Sequence, residues 1–360
     1  EEYEKLFKDM SFGFRPNRSC RLAVRRAMEH VKDGYMWVVD LDLRKFFDTV
    51  NHSKLIQLLS DRIEDGRVVS LIHKFLRAPI CEEGKVGEPN TIGTPQGGVI
   101  SPLLANILLH ELDEKLESKG VRAVRYADDA VLFAKSRKAA ERLLEWVTDF
   151  IEQKLFLKVN AEKTKILRIG DPEVQFLGFS FTSQVSKKRR ERYPTYRYFP
   201  VVHRKKMLKL KEKLKQITDR RAPGGIERVK RELKLTLRGW VNYFYKAIPA
   251  KWVERTDQWL HRRVRQIYWK QWKRPAKRRE EFKRRWKNAP ALHEYAYSSN
   301  RYWRMSKGVQ IHMALSLNIL LKEGWYDLGK AMREASRRPA QVNWNRWVRD
   351  PHAQWCERGR

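Results

Sequence analysis

The residues best suited to chemistry are two adjacent carboxylates, Asp128 and Asp129, in the sequence Tyr-Ala-Asp-Asp. Apolar residues flank the pair, which predicts a tight turn between short strands over 121–126 and 130–134. Two carboxylates this close repel each other unless a cation neutralises them. Asp also favours turns for local reasons. The pair alone therefore leaves a metal site and an ordinary turn equally open.

A second acidic pattern, Asp40-Leu41-Asp42, lies in a stretch over 35–43 that is predicted to be a buried strand. Because side chains alternate along a strand, Asp40 and Asp42 share one face. A carboxylate within a buried strand needs a partner or a metal. Three carboxylates from two adjacent strands suit a pair of divalent ions about 4 Å apart, the arrangement for phosphoryl transfer on polynucleotides. Oxygen ligands favour Mg²⁺, so a two-ion Mg²⁺ site is predicted, with Asp40 or Asp42 as the third ligand.

The elements that must position these groups follow from hydrophobic periodicity. A helix over 101–119 is predicted to have Ser101 as its N-cap and Pro102 in its first helical position. The other elements predicted up to residue 186 are a loop and helix over 1–33, two short helices over 53–77, a loop or hairpin over 83–98, a helix over 136–155, and strands over 165–169 and 174–181. Beyond them are predicted a basic linker or hairpin arm over 187–192, helices over 203–219, 226–246 and 251–273, and a helix near 309–322.

The charge of the chain is concentrated after residue 186. The 360 residues include 77 Lys and Arg against 43 Asp and Glu, a net charge of +34. Residues 1–186 hold 29 basic against 28 acidic residues, whereas residues 187–360 hold 48 against 15. Such a field favours a polyanion, above all nucleic acid. A solubilising surface would mix both signs, and an anionic membrane is a weaker candidate because eleven of the 13 Trp also follow residue 239.

Composition excludes several other classes. Hydrophobic residues make up 42% of the chain, which excludes wholesale disorder. Cys20, Cys81 and Cys356 are far apart, which excludes a disulfide framework and a Cys-paired zinc site. No apolar run approaches the roughly 20 residues of a membrane span, and no secretory signal opens the chain. We therefore expect a reducing, cytoplasmic compartment and no membrane partner.

Within the basic half, residues 261–288 hold 13 Lys and Arg against only Glu280 and Glu281. A solvated face is the ordinary interpretation of such a run. Trp residues interleave with it, which favours a folded helix with one side packed and the other on phosphate. The residues expected at the centre of this contact are Lys273, Arg274, Lys277, Arg278 and Arg279.

The sequence resembles a reverse transcriptase encoded by a group II intron, and the resemblance covers essentially the whole chain. The matching blocks are GFRPNRS (13–19), VDLDLRKFFD (39–48), GTPQGG (93–98), SPLLAN (101–106), RYADD (125–129), LKVN (157–160), KTK (163–165) and FLGF (176–179). RGWVNYF (238–244) and WKQWK (269–273) resemble the thumb, or maturase, region of that family. The implied fold is α+β: a right-hand polymerase palm with partial fingers over 1–186, an all-helical thumb or maturase domain over 187–288, and a small basic, DNA-binding module over 289–360.

The resemblance also implies residue roles. Asp128 and Asp129 match the metal ligands of the palm turn. Asp42 is the implied third ligand because Phe47, five positions later, then matches the aromatic residue that checks the sugar 2′ position. Gln96 and Lys163 are implied to contact the incoming nucleotide. The residues implied to contact nucleic acid are Arg15, Arg18, Gly97 and Gly98, together with a primer grip of Phe176, Leu177, Gly178 and Phe179. The ordinary alternatives are a plain turn at 97–98 and a core strand at 176–179.

The implied function is an RNA-directed DNA polymerase that uses two Mg²⁺ ions, dNTPs, and an RNA template with a DNA primer. It would also bind its parent group II intron RNA to assist splicing, and target DNA for mobility. Two alternatives stay open: a splicing maturase without polymerase activity, and a reverse transcriptase recruited to host defence. The three carboxylates argue against the first and the long thumb against the second. The chain is expected to lack the finger strands that precede the GFRPNRS block, and the lone Cys356 predicts the endonuclease-lacking bacterial type.

Overall fold

The computed structural model describes residues 2–79, 81–82, 85–86, 88–95, 97–221, 223–286, 292–298 and 302–337. The chain divides into two compact units between Pro200 and Val201. The sequence-predicted boundary at residue 186 lies earlier, before a short basic helix. That helix, Lys187–Arg192, begins at Ser186, whose Oγ accepts a hydrogen bond from Arg189 N, so the run is neither an extended linker nor a hairpin arm.

A four-stranded antiparallel sheet lies at the centre of the first unit, in the order β4-β5-β1-β6. The strands of the chain are β1 (Trp37–Leu41), β2 (Cys81–Glu82), β3 (Lys85–Val86), β4 (Arg122–Tyr126), β5 (Asp129–Ala134), β6 (Lys165–Arg168), β7 (Phe179–Thr182) and β8 (Phe199–Val202). The four central strands confirm the predictions over 35–43, 121–126, 130–134 and 165–169. β2 pairs with β3 as a hairpin, one of the two forms predicted over 83–98.

Helices cover the apolar face of this sheet. Those of the first unit are α1 (Glu2–Leu6), α2 (Cys20–Lys32), α3 (Phe46–Thr49), α4 (His52–Ser60), α5 (Gly66–Arg77), α6 (Ser101–Ser118), α7 (Arg137–Lys154) and α8 (Lys187–Arg192). Val39 and Leu41 of β1 are buried in one core with Leu104 and Leu108 of α6. Because side chains alternate along β1, this burial turns Asp40 to the other face of the sheet.

Two local predictions are wrong because of hydrogen bonds made by neighbouring loops and turns. Ile100, not Ser101, is the N-cap of α6. The hydroxyl of Ser101 instead donates to Pro95 O at 2.8 Å, so the preceding loop, rather than the helix end, uses it. The strand predicted over 174–181 is confined to β7, because residues 176–179 form a closed turn.

The second unit is helical from residue 204 onward in its described residues. Its helices are α9 (Arg204–Ile217), α10 (Gly225–Phe244), α11 (Ala250–Gln271), α12 (Pro275–Arg285), α13 (Leu292–Tyr297), α14 (Tyr302–Met305), α15 (Val309–Ala314), α16 (Leu317–Lys322) and α17 (Leu328–Arg337). The predicted apolar stripe of α10 is confirmed, since Leu233, Leu237 and Val241 are fully buried. The helix predicted near 309–322 is two helices, interrupted at Leu315 and by the extended Ser316.

The last described helix packs against the long helices rather than apart from them. α17 contacts α10 and α11. The buried Asp257 of α11 accepts hydrogen bonds from Leu328 N at 2.9 Å and Gly329 N at 2.8 Å, so it satisfies the free N–H groups at the start of α17. Residues 302–337 therefore belong to the same compact unit as α10 and α11. No helix in the described ranges is long and apolar enough to cross a membrane.

Candidate active site

The two adjacent carboxylates lie at the tip of the β4–β5 hairpin. Tyr126 pairs with Asp129, so only Ala127 and Asp128 form the turn between the strands. Ala127 has a φ of 57°, in the left-handed region that residues with a Cβ rarely adopt. The hairpin thus presents Asp128 and Asp129 at one end of the central sheet.

Asp42 reaches the same end of the sheet from β1. The antiparallel register pairs Leu41, the last residue of β1, with Ala130, so Asp42 directly follows the paired strand at the end where Asp129 begins β5. The structure therefore brings the three residues predicted to bind metal to the same end of the central sheet. Asp40 lies opposite Val131, one step further into the sheet.

A turn from another part of the chain supports Asp42. Asn160 Nδ2 donates to Asp42 Oδ1 at 3.1 Å, and Asp42 N donates to Thr164 Oγ1 at 3.2 Å. Asn160 N also donates to Asp42 O at 2.9 Å. Lys163 lies in this turn with its side chain exposed. The block over 157–165 therefore supports Asp42, and the turn that carries Lys163 adjoins the acidic end of the sheet.

The carboxylates are close enough to affect each other electrostatically. The pKa of Asp40 is raised to about 7, first by burial, then by the negative charges of Asp129 and Asp42, with Lys165 opposing the shift. A carboxyl that tends to hold its proton is a poor metal ligand. The raised pKa therefore argues against Asp40 as the third ligand.

The donor set suits a hard divalent cation, since Mg²⁺ prefers carboxylate oxygens. Within the residues that the structure describes, no three His, Cys, Asp or Glu side chains converge as a ready-made cage. Asp42, Asp128 and Asp129 thus lie at one end of the central sheet, but their side chains do not converge on one point. The chemistry and placement of these residues fit a divalent ion.

The raised pKa of Asp40 gives a testable pH dependence. A carboxyl whose pKa is about 7 when folded, against an ordinary 3.8, binds its proton more tightly in the folded state. Its contribution to stability is therefore present at low pH and lost as the pH rises from about 4 to about 7. We expect Asp40→Asn, which stays neutral, to stabilise the metal-free protein at pH 8 by on the order of 2–4 kcal/mol and to change it little at pH 4.

Hydrogen exchange of the β1 amides in a chelator, compared between variant and wild type at each pH, measures this difference. The exposed Asp48→Asn, just after β1, is the matched control and should leave the exchange of these amides unchanged. Equal exchange protection of Asp40→Asn and wild type at pH 8 would contradict the assignment of a half-buried, electrostatically opposed carboxylate.

The GTPQGG loop docks onto the segment after β1. Thr94 N donates to Phe47 O at 2.6 Å, and Gly93 N donates to Val50 O at 2.8 Å. A Cβ on Gly93 would lie 2.9 Å from Phe47 O, so only glycine permits this approach. Phe47 is half-buried, edge-on to the ring of Phe46. The loop and the residue predicted to check the sugar are therefore neighbours, whereas Gln96 lies outside the described residues.

Gly97 and Gly98 have different structural causes. Gly97 has a φ of 85° with open space where a Cβ would point. A Cβ on Gly98 would lie 2.7 Å from Ser101 Oγ and 3.1 Å from the ring of Phe75. Position 97 thus requires glycine because of its backbone conformation. Position 98 requires glycine because a larger residue would collide with α5 and α6. Of these two glycines, Gly97 is the one with open space beside its backbone.

Residues 176–179 form a closed turn whose rings face inward. Phe176 and Phe179 exchange two backbone hydrogen bonds of 2.9 Å, and both side chains are buried. Leu177 and Gly178 between them have φ values of 51° and 81°. Both phenylalanines are therefore core residues. Gly178 is also buried, and only Leu177 of this turn is partly exposed.

The two arginines of the GFRPNRS block differ in exposure. Arg15 is buried, and its guanidinium donates to Glu4 Oε1 at 2.8 Å, Lys8 O at 2.7 Å and Ser11 O at 3.0 Å. These bonds explain Arg15 as a link between α1 and the following loop, without a contact to nucleic acid. Arg18 is partly exposed, pairs with Asp9 at 2.8 Å and lies over the ring of Phe12.

The sequence analysis assigned no role to Arg125, although among the described residues it is the largest fully buried side chain. Arg125 forms an ion pair with Asp113 of α6, which is also fully buried. The available signal was an Arg within a strand predicted to be apolar. Such a charge must find a partner, and an acidic residue on the facing side of an adjacent helix is the natural one.

The basic run of the second unit lies in two helices, the end of α11 and α12, rather than in the single helix predicted, and some of its basic side chains are packed. Arg278 lies over the ring of Trp269 at 4.1 Å and donates to Trp272 O and Ala296 O, both at 2.8 Å. Arg279 lies over the ring of Tyr297. Of the five residues predicted to contact RNA, these two are half-buried, whereas Lys273, Arg274 and Lys277 are exposed.

The sequence of the first unit matches a known family. Residues 1–181, half of the chain, match the family described as "Reverse transcriptase (RNA-dependent DNA polymerase)". The chain belongs to the reverse transcriptase family. In this reverse transcriptase, residues 207–286 also match the "Group II intron, maturase-specific domain". The predicted family and the mixed helix-and-sheet reverse transcriptase fold are confirmed.

Curated relatives agree with this assignment. The reverse transcriptase is 32% identical over 242 residues to "Protein YkfC" of Escherichia coli, a match that covers 57% of this chain and 62% of that protein. It is 31% identical over 241 residues to "Group II intron-encoded protein LtrA" of Lactococcus lactis subsp. cremoris, covering 49% and 40% respectively. The matches thus span less than two thirds of either relative.

Proposed function

We propose that this reverse transcriptase copies RNA into DNA by two-metal phosphoryl transfer and binds a group II intron RNA to assist its splicing and mobility. The polymerase part of this proposal is supported by the pairing of β1 with β5, which brings Asp42 to the end of the sheet that holds Asp128 and Asp129. The match of residues 207–286 to the maturase-specific domain supports the intron RNA as a partner.

Asp42, Asp128 and Asp129 would hold two Mg²⁺ ions, which when bound activate the primer 3′-hydroxyl and stabilise charge on the transferred phosphoryl group. Asn160 keeps Asp42 oriented by its hydrogen bond. The exposed Lys163 attracts the triphosphate of a dNTP from the neighbouring turn. Gln96 lines the nucleotide pocket in this proposal, next to the docked Thr94.

Template and primer contact the loops around this site. The open space at Gly97 admits the template backbone, and the partly exposed Leu177 of the closed turn over 176–179 contacts the primer. Arg18 adds a partly exposed cation in the first unit. Residues 289–360 are proposed to contact target DNA.

The direct test is extension of a DNA primer on an RNA template with the four dNTPs, with and without Mg²⁺. Template-dependent DNA that disappears in chelator is the expected result. Absence of extension, with tight and specific binding of group II intron RNA, would favour the alternative of a maturase without polymerase activity. Activity without any preference for intron RNA would instead favour a reverse transcriptase recruited to another role, such as host defence.

Sugar discrimination is expected to depend on Phe47. Its half-buried ring follows β1, and the docked loop is hydrogen-bonded to its backbone oxygen. In this proposal the ring crowds a ribose 2′-hydroxyl. We expect Phe47→Ala to raise the efficiency of rNTP relative to dNTP incorporation by about tenfold or more, because removal of a steric contact changes discrimination by 1–3 kcal/mol.

The measurement is kcat/KM for one rNTP and the matching dNTP on the same primed template. Phe156→Ala, which removes a solvent-exposed ring from another part of the unit, serves as the control and should leave the ratio unchanged. A Phe47→Ala variant with the wild-type ratio would show that another residue checks the sugar.

A further inference from the structure

The guanidinium of Arg125 uses all five of its N–H donors inside the protein. Nε donates to Asp113 Oδ1 at 2.8 Å, and Nη2 donates to Asp113 Oδ2 and to Ser11 Oγ. Nη1 donates to Asn106 Oδ1 and to Ala127 O, both at 3.0 Å. Because five donors are the full capacity of an arginine, this side chain is completely satisfied.

One of these acceptors belongs to the turn that carries the paired carboxylates. Ala127 directly precedes Asp128 and has the left-handed φ of 57°. A residue with a Cβ is held in this conformation only by its surroundings, at a cost of about 1–3 kcal/mol. The bond from Arg125 Nη1 to Ala127 O is one such restraint.

A second restraint comes from the GFRPNRS block. Asn106 Nδ2 donates to Gly13 O at 2.8 Å. A Cβ on Gly13 would lie only 2.2 Å from Ala127 N, so the backbone at Gly13 is in direct contact with the turn. Asn106 therefore forms hydrogen bonds both with the Arg125 guanidinium and with the backbone oxygen of Gly13.

We propose that Arg125 and Asn106 are positioning residues that fix the backbone of Ala127, so that Asp128 and Asp129 both face the position of Asp42. This role rests on the proposed function. Asp113 neutralises the guanidinium, so the assembly adds no net charge to the site. A lysine could keep the ion pair with Asp113, but its single ammonium could not also reach Asn106 and Ala127 in the planar geometry of arginine.

The test uses Arg125→Lys in the full chain, with two readouts. The first is binding of Mn²⁺, followed by electron paramagnetic resonance without substrate. The second is the Mg²⁺ concentration for half-maximal primer extension. We expect both values to rise by about tenfold or more, since loss of a residue that orients metal ligands costs 10–100-fold in affinity. The KM for dNTP at saturating Mg²⁺ should change less.

Asn106→Ala and Gly13→Ala extend the test if Arg125→Lys is too unstable to purify. Val147→Ala, a core truncation in α7 away from the turn, is the control for lost stability and should leave both metal values unchanged. A folded Arg125→Lys, Asn106→Ala or Gly13→Ala protein with wild-type Mn²⁺ affinity overturns the inference. If the wild-type protein itself neither binds Mn²⁺ nor extends a primer, the proposed function fails first and the positioning role fails with it.

Discussion

Asp128→Ala and Asp129→Ala are each expected to lower Mg²⁺-dependent DNA synthesis by about a thousandfold or more. Each removes a carboxylate from the end of the sheet where β1 and β5 meet. The metals held there would stabilise transition-state charge by several kcal/mol, and each 1.36 kcal/mol is a factor of ten in rate. The measurement is the single-turnover rate of primer extension on RNA at saturating Mg²⁺.

The same experiment decides whether Asp42 or Asp40 is the third metal ligand. Asp42→Asn should match the turn variants, whereas Asp40→Asn should keep far more activity because the pKa of the half-buried Asp40 is raised. The exposed Asp48→Asn is the control and should be near normal. Near-normal extension by Asp128→Ala or Asp129→Ala would refute the site. A harmless Asp42→Asn with an inactive Asp40→Asn would show that Asp40 is the third ligand.

Charge reversal at two exposed residues, Lys273→Glu with Arg274→Glu, should weaken binding of group II intron RNA by about tenfold or more. Each lost phosphate contact should also reduce the slope of log affinity against log salt by about 0.7–0.9. We expect extension of a short primed template to change less, because these residues are in the second unit. The measurement is RNA binding at several salt concentrations, together with a splicing assay.

A matched control reverses the same number of charges in the first unit, at the exposed Arg137 and Lys138, and should leave the salt slope unchanged. Arg278→Glu is a different case, since Arg278 is hydrogen-bonded to two backbone carbonyls and lies over Trp269. That change should lower stability. Unaltered affinity and salt slope in the Lys273→Glu, Arg274→Glu protein would mean that this end of the basic run is only a solvated face.

The features predicted best from the sequence are those that depend on residues close together in the chain. The alternation around Asp40 and Asp42 identified β1 and its acidic face, and the apolar stripe of α10 identified the core side of that helix. Ser101 was misassigned as an N-cap because its hydroxyl is used by Pro95, and the six-residue helix α8 has no apolar stripe from which it could be recognised.

Contacts between distant segments explain why the roles of other residues were not predicted from the sequence. Arg15 and Arg278 look like surface cations in the sequence, yet each is hydrogen-bonded to backbone carbonyls. Nothing local distinguishes them from Arg18 or Arg274. Arg125 was missed for the same reason, since its acceptors include Ser11, which lies 114 residues away in the chain.

The support of Asp42 by Asn160 and Thr164 has a consequence for synthesis of the chain on the ribosome. These partners follow Asp42 by 118 and 122 residues. A nascent chain that has emerged only as far as α7 carries all three carboxylates, yet Asp42 has neither hydrogen-bond partner. The acidic site is therefore assembled late, after residue 164 has been synthesised and has reached Asp42. Most of the first unit would have to be synthesised before the site could bind a metal or a primer.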